Sequence, residues 1–450
     1  MINNDFLLNS LTAKKLYRSI KDLPIIDYHN HLSLSDISIN KRFTNVYDLW
    51  INPDPYKHRA MRMCGIEEHY ITGEASREEK FIKWCEVIPE LIGNPLYHWS
   101  LMELKTIFNI SDIPNKKNAI ELYKYCNNYL LDNTITPEVL LRDFNVEYAC
   151  PCASIIDDIS IFENNPYLSP SLRGDDIVNP TMEFIKKLEE ITQTEITDLN
   201  TFKRAVCIRL DYFQKCGCVF SDHALDNCFS FFEDSIDNDI RFISLLKNEI
   251  DGEDNEKLSN NLLLFLGKEY SKRNFVMQLH IGAERYTSSK LRNEAGPAGG
   301  FAGIGNSVDV QSLTKFLDTL DLSEYGLPKT VLFTLNPSDN ALISVLSGSY
   351  SKNGVKGLIT QGPAWWWCDH KLGIVDMLDN TAAFSVLSNF IGMTTDSRSF
   401  LSFVRHDYFR RILCNWIGEK IDNGEFICSE KQIEELIAKL CYENAKEIFR

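Results

Sequence analysis

The chain has 450 residues, 44% apolar and 24% charged, which allows a sizeable core and is too apolar for disorder to dominate. Lys and Arg number 47 against 63 Asp and Glu, a formal charge of −16, and no Lys/Arg run tracks a phosphate backbone, so nucleic acid is not an expected partner. No stretch approaches the ~20 apolar residues of a membrane span, and the start MINNDFLLNSLTAKKLYRSI lacks the basic end and apolar run of a signal peptide.

Eight short apolar runs punctuate the chain. They are PIIDYHNHL (24–32), VEYACPCA (146–153), YLSPSLRGD (167–175), GCVFSDHA (217–224), NFVMQLHIGA (274–283), KTVLFTLN (329–336), GLITQGPAWW (357–366) and FIGMTTDSR (390–398). Such runs suit strands buried on both faces of a parallel sheet. Helical patterns lie between most of them, as in DVQSLTKFLDTL (309–320) and the stretch after Arg398. Strand then helix, repeated eight times, predicts an α/β fold of the (β/α)8 TIM-barrel type.

Residues 33–145, between the first two runs, are far more than one crossover needs. They read as an inserted helical subdomain, with Trp50, Met61, Met63, Phe81, Trp84 and Leu101 as core candidates. Residues 1–32 and 146–450 then make the barrel. EIDGEDNEKLSNN (249–261) reads as an exposed turn between helices. A last helix is expected from its N-cap Ser429 through Ile433, Leu436, Ile437 and Leu440. The thirteen cysteines are scattered without four-ligand zinc spacing, which fits reduced thiols in a cytoplasm.

In such a barrel the site lies at the C-terminal strand ends. The first run ends in Asp27-Tyr28-His29-Asn30-His31, and histidines two apart on a strand share a side, so both imidazoles can reach one divalent ion. Asp222-His223 ends the fourth run and His280 lies near the end of the fifth. Thr394-Thr395-Asp396-Ser397-Arg398 ends the eighth, which closes beside the first. Asp396 can complete a His/His/Asp site or act as a base next to it. His223, His280 and Asp396 each read as structural when taken alone; together with the His29/His31 pair they form a ring of titratable groups. Arg173 can hold a carboxylate or serve a structural salt bridge. Trp365-Trp366-Trp367 can pack core or face a sugar ring. GPAGGFAGIG (296–305) lacks the Lys-Ser/Thr of a nucleotide loop and reads as a mobile loop.

These segments resemble the uronate isomerase family of the amidohydrolase superfamily. The resemblance runs through Asp27–Leu32, Tyr56–Arg62, Asn94–Trp99, Ser221–Asp226, Gln278–Ala283, Leu335–Asn340, Gly362–Trp366 and Thr395–Phe400, in order along nearly the whole chain. It implies aldose–ketose isomerisation of hexuronates, glucuronate to fructuronate and galacturonate to tagaturonate. It also implies one divalent ion, Zn2+ or Mn2+, at His29, His31 and Asp396. Tyr56, Arg173, Trp366 and Arg398 would surround the substrate, with His280 beside the metal and His98 as a further substrate-binding candidate. The base is Asp396 or Tyr56, and Asp396, Arg398 and Tyr56 are the catalytic candidates. A homo-oligomer is implied as well. Rival readings are a metal hydrolase on the same fold, against which Asn336 speaks, and a sugar-acid binder without turnover. The chain departs from the family pattern at Pro55 (a histidine elsewhere), at Pro151-Cys152-Ala153-Ser154 (Thr-Asp-Asp-Pro elsewhere) and at Ala302 (acidic elsewhere).

Overall fold

The computed structural model describes residues 2–232 and 237–449. Helix α1 (Leu11–Ile20), capped by Ser10, leads into β1 (Ile25–Asn30), which is buried throughout. Then come helices only, among them α2 (Pro55–Met63) and α3 (Pro95–Phe108), until β2 (Val146–Ser154). The next strands are β3 (Ser171–Arg173), β4 (Phe220–Leu225), β5 (Val276–Ile281), β6 (Thr330–Thr334) and β7 (Ile359–Gln361). Each pairs in parallel with the strand before it. Parallel neighbours require a crossover, and helices such as α4 (Gly252–Arg273) supply it outside the sheet.

The eighth predicted strand is not regular. Residues 390–398 carry positive φ at Gly392 (98°) and Asp396 (48°), which breaks the strand geometry. The segment still closes the ring: His31 N–H donates to Ser397 O (2.9 Å) and Asp396 N–H to His29 O (3.2 Å). The architecture is a TIM-type barrel of seven regular strands and one irregular stave. Ile26, Tyr28, Cys150, Phe220, Val276, Val331, Phe333 and Ile391 form one apolar cluster filling its interior. Ile26 and Tyr28 on β1, and Val331 and Phe333 on β6, follow the alternation that sends every second side chain inward.

Helix α5 (Val404–Asp422) packs against α1, where Gly418 lets the two backbones approach: a Cβ there would lie 2.9 Å from Ala13 N. Helix α6 (Glu430–Ala438) begins at Ser429, whose capping box with Gln432 places the helix where the sequence predicts it, with Ile433, Ile437 and Leu440 buried.

Two local expectations are corrected. Met61 is buried, but Met63 is 75% exposed, because two residues apart on a helix lie some 200° around its axis and cannot both face the core. The segment 249–261 is mostly helix rather than turn: Asp251 caps α4, and Glu253 and Asp254 in its first turn complement the helix dipole. Trp50, Phe81, Trp84 and Leu101 are buried as expected. No helix among the described residues is long and apolar enough to cross a membrane.

Candidate active site

The site begins with a slip in β1. Ile26 and Tyr28 point into the barrel, and the register against β2 then shifts between Asp27 and Asn30. This irregularity brings His29 to the interior just after Tyr28, with its ring 4.5 Å from that of His280 and 5.1 Å from that of His31. Asp27, fully buried, ties the stave to β1. Its Oδ1 accepts from Thr395 N (2.6 Å) and faces Thr394 Oγ1 and His406 Nε2 (both 3.1 Å); its Oδ2 accepts from Thr395 Oγ1 (2.8 Å) and Asn30 Nδ2 (2.9 Å). So held, Asp396 places Oδ1 3.2 Å from His29 Nε2 and 3.1 Å from His31 Nε2. The His/His/Asp juxtaposition predicted from sequence is therefore present.

Two neighbouring groups join it. Cys152, near the end of β2, sets Sγ 3.5 Å from His29 Nδ1 and 3.8 Å from Asp222 Oδ2. Asp222 Oδ1 and His280 Nδ1 meet at 2.6 Å. Among the described residues, two sets of donor atoms lie within 4.8 Å of one another: His29, His31 and Cys152, and His29, Asp222 and His280. Imidazole, thiolate and carboxylate are the donors that divalent transition ions accept, so the residues fit the metal that the sequence implies.

A cleft of about 520 Å3 opens over these groups. Arg173, Arg398, Tyr56 and Trp366 line it with His29, His31, His280 and Asp396. Arg173, whose Nε is held 3.2 Å from Asp175, serves a salt bridge while facing the cleft. Trp366 takes a left-handed backbone (φ 49°), and its ring stacks on Trp367 at 5.2 Å.

Burial raises the Tyr56 hydroxyl well above its ordinary range, and the nearby Asp369 charge adds to this, so it stays protonated. Its oxygen has no hydrogen-bond partner. Burial alone would push Asp396 up, but hydrogen bonding to His29 and His31 outweighs it and holds the carboxyl well below the usual range. Burial likewise works against the Arg173 charge, and Asp222 and Asp175 more than restore it.

Some candidates lie elsewhere. His98 is outside the cleft: on α3 its ring packs against Phe6 (4.9 Å) and Tyr408 (6.1 Å). The next residue, Trp99, turned about 100° around the helix, is the one that reaches Tyr56 (5.9 Å). His223 faces out from β4 toward Tyr270 (2.8 Å), since its neighbours Asp222 and Ala224 take the inward positions. Asn336 caps a turn, accepting from Ser338 N and donating to Gly305 O. The glycine loop 296–305 is pinned: Gly303–Ile304 pairs with Ala283–Glu284, and Arg59 donates to Gly300 O and Ala302 O.

Sequence reasoning passed over a buried charge network behind Tyr56. The Arg405 guanidinium lies 4.8 Å from the Tyr56 ring centre and 4.1 Å from that of Trp99, and pairs with Asp369 at 3.0 Å. Lys57 pairs with Asp54 at 2.6 Å and Glu103 at 3.3 Å. In the sequence Cys152 stands out as a departure from the family pattern; its alternation with Cys150 on β2 is the signal that aims it at the barrel mouth.

The glucuronate isomerase family model matches residues 1–449. The chain is 38% identical over 467 residues to the uronate isomerase of Clostridium perfringens, covering 100% of this chain and 99% of that one. It is 39% identical over 465 residues to that of Caldicellulosiruptor bescii, with the same coverage. The crystal structure of uronate isomerase from Thermotoga maritima superposes with a TM-score of 0.92 at 29% identity over 100% of both chains. With a full-length family match, close relatives and a shared barrel, this chain belongs to the glucuronate isomerase family.

Proposed function

We propose that the chain interconverts aldose and ketose hexuronates, D-glucuronate with D-fructuronate and D-galacturonate with D-tagaturonate. The carrying observation is the convergence of His29, His31 and Asp396 with two arginines and a protonated tyrosine in one cleft. The reaction moves a proton from C2 to C1 through a cis-enediolate. It needs a base, stabilisation of the developing oxyanion and an anchor for the distant carboxylate.

Arg173 anchors the substrate carboxylate, and Trp366 offers a flat face to the sugar. Asp396 takes the C2 proton and returns it at C1. Tyr56, protonated and unpartnered in the free enzyme, donates a hydrogen bond to a substrate oxygen, and Arg398 stabilises the enediolate charge. A divalent ion at His29 and His31, Zn2+ or else Mn2+, would add charge stabilisation at the same oxygens. Residues 33–145 act as a helical insertion that brings Tyr56 to the barrel of 1–32 and 146–450. We place the enzyme in the cytoplasm, where its thirteen scattered cysteines stay reduced, and as a homo-oligomer.

A coupled assay with glucuronate and galacturonate, with and without Zn2+ or Mn2+, tests this reading. Ketose formation supports it. Inertness toward both sugar acids in the presence of either metal overturns it, and hydrolysis of an amide or lactone instead would reassign the chemistry.

A further inference from the structure

We propose that Cys152 is a thiolate ligand of the divalent ion, forming a His29/His31/Cys152 centre; the proposal rests on the metal-dependent reading above. The donors of these three residues all lie within 4.8 Å of one another. Zinc–sulfur bonds of ~2.3 Å and zinc–nitrogen bonds of ~2.0–2.1 Å put neighbouring tetrahedral corners about 3.6 Å apart. Sγ stands 3.5 Å from His29 Nδ1. A second observation points to a ligand beside it, where His280 and Asp222 form an adjoining donor set that shares His29. His280, 3% exposed, leaves Nε2 without a hydrogen-bond partner while its ring faces His29 at 4.5 Å. A buried imidazole nitrogen left bare is costly unless something binds there.

His29 presents Nδ1 to Cys152 and Nε2 to Asp396, and an imidazole binds one ion through one nitrogen. Sulfur and the Asp396 carboxylate thus compete for the same role. Sulfur in the ligand set releases Asp396 to act as the base, a task for which a metal-bound carboxylate is poorly suited. Binding exchanges the thiol proton for the ion, with the proton lost to solvent and no change of oxidation state. The thiolate also narrows the choice of ion toward Zn2+ and away from Mn2+, since soft donors favour the former.

The test is titration of the chelator-stripped full-length chain with Co2+ alone. Visible ligand-field bands report that the ion is bound, and an intense near-ultraviolet sulfur-to-cobalt band reports a thiolate ligand. The wild-type chain should show both. Cys152→Ser should keep the visible bands, lose the ultraviolet band and bind Co2+ at least about tenfold more weakly. Cys64→Ser, at an exposed cysteine, should match wild type, and circular dichroism checks that each variant is folded.

Visible bands without a sulfur band in the wild-type chain would overturn the proposal and leave Cys152 orienting His29 from outside the ion; so would a sulfur band that survives Cys152→Ser. No Co2+ binding at one equivalent would overturn both the proposal and the metal-dependent reading. A sulfur band in a chain inert toward hexuronates would uphold the proposal and sink only the isomerase reading.

Discussion

Replacing Asp27 by Asn tests the claim that one buried carboxylate assembles the site. The substitution keeps size and removes an acceptor. If the new amide NH2 faces the Oδ1 side, it meets the Thr395 backbone N–H (2.6 Å from Oδ1 in the native chain), a donor that cannot reverse. On the Oδ2 side it meets Thr395 Oγ1, which can rotate to accept, and Asn30 Nδ2, which cannot. Asn30 could flip only by giving up its Oδ1 contact with Leu32 N–H at 3.3 Å. At least one bond to a charged acceptor is lost and one donor left facing another, at ~1.5–3 kcal/mol for each such bond. We expect a stability loss of about 2–4 kcal/mol in urea unfolding, read as a lower midpoint at unchanged m. The stave carrying Asp396 would also loosen, and displacement by ~1 Å should lower kcat/KM by on the order of 100-fold. Thr395→Val, which removes only the Oγ1 bond, should cost ~1 kcal/mol, and the double variant should fall short of the sum because the two residues share that bond. An Asp27→Asn protein within ~0.5 kcal/mol of wild type and fully active would refute the reasoning.

Arg398→Ala should lower turnover by on the order of 100-fold or more, the worth of one well-placed donor to a developing oxyanion; unchanged kcat in a folded variant removes Arg398 from the chemistry. Gly300 has φ +81° and a Cβ there would sit 2.3 Å from Pro55 O, so Gly300→Ala should push the pinned loop off α2 and raise KM for glucuronate; a KM equal to wild type would show that the loop does not shape the cleft. His58, buried beside Asp54, has its pKa pulled down to about 4 by burial. Because the folded value is depressed, its contribution is present above pH 6.5 and lost as pH falls toward 4, about 3 kcal/mol over that window. Denaturation at pH 7, 5.5 and 4 should show wild type losing that much relative to His58→Gln, and parallel curves would contradict it.

Much of the site was legible before any coordinates because its chemistry sits in short local patterns. Two histidines two residues apart, and a carboxylate at the end of the closing run, name their own neighbours once the eight-run barrel is inferred. Seven of the eight strands, their order and the capped final helix follow from short apolar runs and N-cap chemistry, both properties of a few adjacent residues. What tertiary structure alone decided depends on groups distant in the chain. Asp27 captures Thr394 and Thr395 across more than 360 positions, and their side-chain bonds replace the regular ladder that the eighth run was expected to form. Helical rotation, set by how α3 docks, sends His98 to Phe6 and Trp99 to Tyr56. Cys152 read alone is one thiol among thirteen; β1 slips in register and His29 Nδ1 comes to lie 3.5 Å from its sulfur. Composition and periodicity determine which residues are strand, helix and core, but which buried polar groups meet is set by packing in three dimensions.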